Sequence, residues 1–91
     1  MPLQRGEVQG YDSDRMVVEF TMLYQGKVIR CAISTAAMDD LEGRRDVKAE
    51  ERVGQFKRLR EAIEERASRK YIEDQTQADR PVVLRSNDFS R

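Results

Sequence analysis

Apolar and polar residues alternate along 16–24 and again along 27–33, and the two runs stand in register across Gln25-Gly26. With those two residues as the loop, Tyr24 faces Lys27, Met22 faces Ile29, Phe20 faces Cys31 and Val18 faces Ile33, all on one side of a hairpin. β-Branched and aromatic side chains fill the inward positions, as a packed strand pair requires. The alternation stops at Ser34, whose hydroxyl is placed to accept from the first free amides of a short helix over 35–42. Gly43 is placed to end that helix in a left-handed conformation, and Ala37, Met38 and Leu41 form its apolar face.

After a charged connector, Arg44-Arg45-Asp46, the period changes. Ala49, Val53, Phe56, Ile63, Ala67 and Tyr71 recur three, four or seven apart with Leu59 beside them, which predicts a long helix over 47–74 whose stripe covers one face of a small sheet. Gly54 falls opposite the stripe. Arg60 is the one charged residue within it, and an unpaired guanidinium there would be expensive, so Arg60 either snorkels toward Glu64 or is held at a subunit or ligand contact. Residues 75–80 read as a polar loop, and 81–85 as a third strand that tolerates Pro81 at its first position. Residues 86–89 read as a turn that tucks Phe89 against the body. Residues 1–14, with Gly6, Gly10 and Asp12-Ser13-Asp14, read as a loosely held polar arm pinned by Tyr11, and 15–91 as a single α+β domain. The expected architecture is a β-hairpin plus a C-terminal third strand in a small antiparallel sheet, packed by one long amphipathic helix and a short helix. A right-handed crossover places the third strand beside the first, in the order 2-1-3.

Composition limits the function classes. Ninety-one residues make one small domain, which buries only ~60–65% of its unfolded surface. At 38% apolar and 37% charged residues the chain still holds enough for a core, which argues against wholesale disorder. Seventeen basic and seventeen acidic side chains cancel, so no global field draws the chain to nucleic acid or an anionic membrane. A nucleic-acid role would need a local patch, and Arg44, Arg45, Arg52 and Arg58 head the densest basic stretch, with Lys48, Lys57 and Arg60. Asp46, Glu50, Glu51, Glu61, Glu64 and Glu65 interleave with them, which favours a solvated, ion-paired helix face. No run approaches the ~18–20 apolar residues of a membrane span, and the first residues hold no secretory core. Cys31 is the single cysteine, so no disulfide framework exists, and a soluble cytoplasmic protein is expected.

Candidate chemistry is sparse. The chain has no histidine, the commonest general base and metal ligand. The acidic pairs Asp12/Asp14, Asp39/Asp40 and Glu73/Asp74 lie in turns or near helix ends, where carboxylates cap or stay hydrated. The glycines form no phosphate-binding loop. Cys31 is expected among Phe20, Ile29 and Ile33, where nothing stabilises a thiolate. No catalytic, metal-binding or cofactor-binding residue is assigned. The outer face of the hairpin is the better clue: Val17, Leu23, Val28 and Ala32 lie there beside Glu19, Thr21 and Arg30. An apolar face on both sides of so small a sheet needs covering, either by the chain's own short helix and tail or by a second molecule, most simply in a two-fold homodimer. The expected partner surface is Val17, Leu23, Val28 and Arg30. A non-enzymatic interaction or regulatory module is the leading expectation, and a nucleic-acid-binding accessory protein using the basic 44–60 segment is the alternative.

The run Tyr11-Asp12, Arg15, Val18, Phe20, then Cys31-Ala32-Ile33-Ser34, Leu41, Val83-Leu84 and Asn87-Asp88-Phe89 resembles a family of small bacterial proteins known as domain-of-unknown-function family 1488. The resemblance covers most of the chain in order and is weakest over 42–69. It implies a bacterial cytoplasmic α+β domain. It carries no activity, cofactor or catalytic residue onto any position.

Overall fold

A computed structural model of the chain describes residues 3–73 and 80–89. The expected hairpin forms, as β2 (Val17–Tyr24) and β3 (Lys27–Ser34), with the register read from the alternation: Val18 faces Ile33, Phe20 faces Cys31, Met22 faces Ile29 and Tyr24 faces Lys27. Gln25 and Gly26 both have positive φ, 51° and 82°, the turn whose twist matches that of the strands it joins. Ser34 accepts from the Ala37 amide at 3.1 Å and opens α1 (Thr35–Glu42). Gly43, at φ 71°, closes it by donating to the Asp39 carbonyl at 2.7 Å.

The long helix is shorter than its pattern suggested. A single 3-10 turn, Ala49–Glu51, leads into α2 (Arg52–Glu73), so Ala49 is exposed and lies outside α2, whereas Phe56, Ile63 and Ala67 are buried as expected. The Glu51 carboxylate accepts from the Lys48 amide and so holds that turn. Expectations for Asp74 and for the loop over 75–79 lie outside the described residues. Val18, Phe20, Met22, Ile29, Cys31 and Ile33 of the hairpin pack against Ala37 and Met38 of α1 and Phe56, Ile63 and Ala67 of α2. Phe20 and Phe56 meet at 4.8 Å between ring centroids, a tilted contact near the middle of this core. Tyr11 and Phe89 also pack against it, as expected.

Two expectations about the sheet are corrected. The supposed arm contains a strand, β1 (Gln4–Asp12), paired antiparallel with β2, and Leu3 just before it is 1% exposed. Two register shifts, around Val8, mark β-bulges, and the glycines that seemed to break the segment serve them. An ideal Cβ at Gly6 would stand 2.3 Å from the Thr21 carbonyl oxygen, so only glycine lets β1 approach β2 this closely. The C-terminal strand, β4 (Val82–Leu84), pairs with β3 rather than β2, and runs parallel to it. The sheet is therefore four-stranded and mixed, in the order β1-β2-β3-β4, in place of three antiparallel strands ordered 2-1-3. β1 already occupies the free edge of β2. The chain leaves β3, crosses one sheet face through both helices and re-enters in the same direction, the long connection that a parallel pair requires.

Candidate functional site

Three clusters of charged side chains tie the elements together, and each closes on itself. In the first, Glu64 of α2 is fully buried between two arginines from different parts of the chain. Its carboxylate accepts from Arg5 Nε of β1 at 2.8 Å and from Arg60 Nε at 2.9 Å. Arg60 also donates to the Gly6 carbonyl at 3.0 Å and lies 5.8 Å from the centroid of the Phe56 ring. Arg60 thus reaches Glu64 as the helical spacing suggested, and it holds the β1 bulge as well. Glu64, counted in the sequence among solvated charges, is instead the group around which β1 and α2 are joined.

The second cluster joins the two helices. Arg52, 8% exposed, donates to Asp39 at 2.7 Å and to Gln55 at 2.8 Å, and fully buried Gln55 donates to Asp39 at 3.0 Å. Asp39 is therefore a cross-helix acceptor and not a hydrated carboxylate. The third cluster fixes the C-terminal segment. Lys70 donates to the Val83 carbonyl at 2.8 Å and to the Asp88 carboxylate at 3.0 Å, while Arg66 donates to the Asp88 carbonyl at 2.5 Å. By contrast Asp12 behaves as expected of a turn residue, accepting from the amides of Asp14 and Arg15.

The expected basic patch is largely neutralised. Arg52 is buried in the second cluster, and Arg58 makes a two-pronged contact with Glu42, at 2.7 and 3.0 Å. That contact holds the Glu42 carboxyl below the usual carboxylate range and the Arg58 guanidinium above its own. Arg44 stands 3.8 Å from the same carboxylate, and Arg45 is exposed. Cys31 is buried, donates to the Ile29 carbonyl, and burial pushes its thiol up to about 12. An open hollow of about 240 Å³ lies beside β4, lined by Lys70, Tyr71, Arg80, Val82 and Arg85. Its lysine is already engaged by Val83 and Asp88. Among the described residues no group of acidic side chains and cysteine is arranged to hold a metal ion, and no helix is long and apolar enough to cross a membrane.

The expected partner surface is brought together only in part. Leu23 and Val28 are cross-strand neighbours at the hairpin end of the sheet, with Arg30 two residues along on the same face. Val28 is 59% exposed, Leu23 is half-buried and Arg30 is exposed. Val17 lies at the far end, opposite Ser34, and at 3% exposed it is withdrawn from the surface. Both helices pack on the other face, against Phe20 and Ile33, and so does Phe89. The outer face is sealed at Val17, Thr21 and Ala32 and open only around Val28 and Arg30, with Leu23 half-buried beside them.

Nothing in the sequence marks Arg5, Asp39 or Gln55 for these roles, and Glu64 is marked only as the residue toward which Arg60 reaches. Glu64 carried one usable signal: it lies four residues after Arg60 and next to Ile63 within the apolar stripe.

The chain is similar to a protein of unknown function from Shewanella loihica PV-4, solved as a crystal structure, at 25% sequence identity over 91% of each chain with a TM-score of 0.75. No curated protein matches the chain. The family model described as "Protein of unknown function (DUF1488)" matches residues 5–84, nearly all of the folded unit, and the chain accordingly belongs to the DUF1488 family.

Proposed function

We propose that the protein is a small non-enzymatic interaction module of the cytoplasm that engages its partner through the helix-free face of the sheet. One observation carries this reading. Leu23 and Val28 stand together, partly or largely exposed, on a face over which neither helix passes, and Arg30 beside them makes no ion pair among the described residues. A two-layer α/β domain of this size buries one sheet face under its helices, and apolar side chains on the other face gain by being covered in a complex. The interior supports the same reading. Its charged groups are spent on joining β1, α1, α2 and the C-terminal segment, and its thiol is shut away from solvent. A reducing compartment suits a lone buried cysteine.

The test compares the parent chain with Leu23→Asp and Val28→Asp as immobilised baits, after circular dichroism has confirmed that both variants fold. Binding of a host component or of the chain itself that both variants lose supports the module. Turnover in a broad hydrolase and transferase screen that tracks a point substitution would end it. Nucleic-acid binding through Arg44 and Arg45 is the rival, and the engagement of Arg52 and Arg58 by Asp39 and Glu42 weighs against it. Retention on heparin at about 50 mM salt, lost as salt rises, would favour the rival.

A further inference from the structure

We infer that the partner of this sheet face is a second copy of the same chain, docked about a two-fold axis that sets Glu19 of each copy against Arg30 of the other. The inference rests on the proposed interaction face and names its occupant. Glu19 pairs across the ladder with Ala32 and Thr21 with Arg30, so Glu19 and Arg30 stand diagonally across the β2–β3 seam, on the same face as Leu23 and Val28. They do not satisfy each other within the chain. The Glu19 carboxylate stands 3.9 Å from Arg15, with 43% of its side chain exposed, and Arg30 has no ion-pair partner among the described residues. A two-fold axis lying in the plane of the contact and passing between these two positions exchanges them. Each dimer then gains two opposite-charge contacts from one diagonal pair, the self-complementarity that an isologous interface requires. Thr21 and Ala32 lie along the axis but are already sealed within the chain, so the contact falls on Glu19, Arg30, Leu23 and Val28 around them.

Area sets the strength of such a dimer. Four strands spaced ~4.8 Å apart, the longer ones rising ~3.3 Å per residue over about eight residues, span roughly 400–500 Å², and the part at Val17, Thr21 and Ala32 is already buried within the chain. That is below the ~800 Å² per partner of a standard interface, so the dimer is expected to be weak and concentration-dependent, with a Kd in the micromolar range.

Sedimentation velocity across a concentration series tests this on the full chain. The parent should pass from monomer to dimer, and Glu19→Arg and Arg30→Glu should each weaken self-association at least about tenfold, because each places two like-charge contacts in the interface. Mixing the two variants in equal amounts should restore a dimer containing one of each, since all four altered or native charges are then opposed. Both positions are partly or fully exposed, and unchanged circular dichroism would confirm the fold of each variant. A parent that remains monomeric at about 500 μM overturns the second-copy assignment, as does a parental dimer that neither variant weakens or a mixture that fails to reassociate. If the parent is monomeric yet still binds a host component that Val28→Asp releases, the interaction-module reading stands and only its occupant was wrong.

Discussion

Replacing Gly6 with alanine should destabilise the protein by about 3 kcal/mol, for a reason visible at one point of contact. The added Cβ would lie 2.3 Å from the Thr21 carbonyl oxygen, 2.5 Å from its Oγ1 and 2.7 Å from its carbonyl carbon. Opening the first of these gaps even to 3.0 Å must move backbone against backbone, because β2 is held on its other side by the ladder to β3. The displaced bulge would strain the bond from the Glu7 amide to Thr21 Oγ1, now 3.0 Å, and the bond from Arg60 to the Gly6 carbonyl. Over-packing costs about 1–3 kcal/mol and each lost hydrogen bond about 1 kcal/mol, so a total near 3 kcal/mol is expected after partial relaxation. For a domain of this size that lowers Tm by roughly 12–24 °C. Urea unfolding and a thermal melt followed by circular dichroism measure both quantities. Adding Thr21→Ala to Gly6→Ala removes the hydroxyl contact but also the acceptor of the Glu7 amide, and leaves the carbonyl contact, so the double variant should recover little or none of the loss. A single variant within about 1 kcal/mol of the parent, or full recovery in the double variant, would refute the close-approach argument.

Three further outcomes follow from the charged clusters and the thiol. Glu64→Ala should cost about 3 kcal/mol and speed amide exchange along β1 before the rest of the sheet, since it leaves the largely buried Arg60 without its carboxylate; uniform exchange across all strands would contradict the joining role. Asp39→Ala should cost about 2–4 kcal/mol by stranding Arg52 and Gln55, whereas Asp40→Ala, at an exposed position, should stay within about 0.5 kcal/mol, both read from urea midpoints. Cys31 should resist a thiol reagent at pH 8 in the folded chain and react at once in denaturant. Its folded pKa, raised to about 12 by burial, also means that the unfolded chain releases the thiol proton first, so this contribution to stability is intact below about pH 9 and falls as pH rises toward 12. Cys31→Ala should remove that part of the alkaline loss.

Features encoded by neighbours along the chain are legible without coordinates. The hairpin register followed from a two-residue alternation on both sides of a short turn, and β2 and β3 pair residue for residue as that alternation requires. Ser34 and Gly43 bound α1 because a cap is chosen by the residue at the cap itself. Phe56, Ile63 and Ala67 face the core because a helical period says which side is apolar. The remaining features depend on residues that only folding brings together. β1 is an edge strand with polar exposed positions and bulge-forming glycines, so it has no alternation to read, and its pairing depends on the space that Gly6 leaves against Thr21. β4 is three residues long and cannot itself specify whether it joins β2 or β3; with β1 on the edge of β2, the edge open to it is that of β3. Glu64 looks like any solvated helical glutamate until Arg5, 59 positions away, is brought against it. Burial of a charge depends on which distant groups arrive to compensate it, and no local pattern along the chain records that.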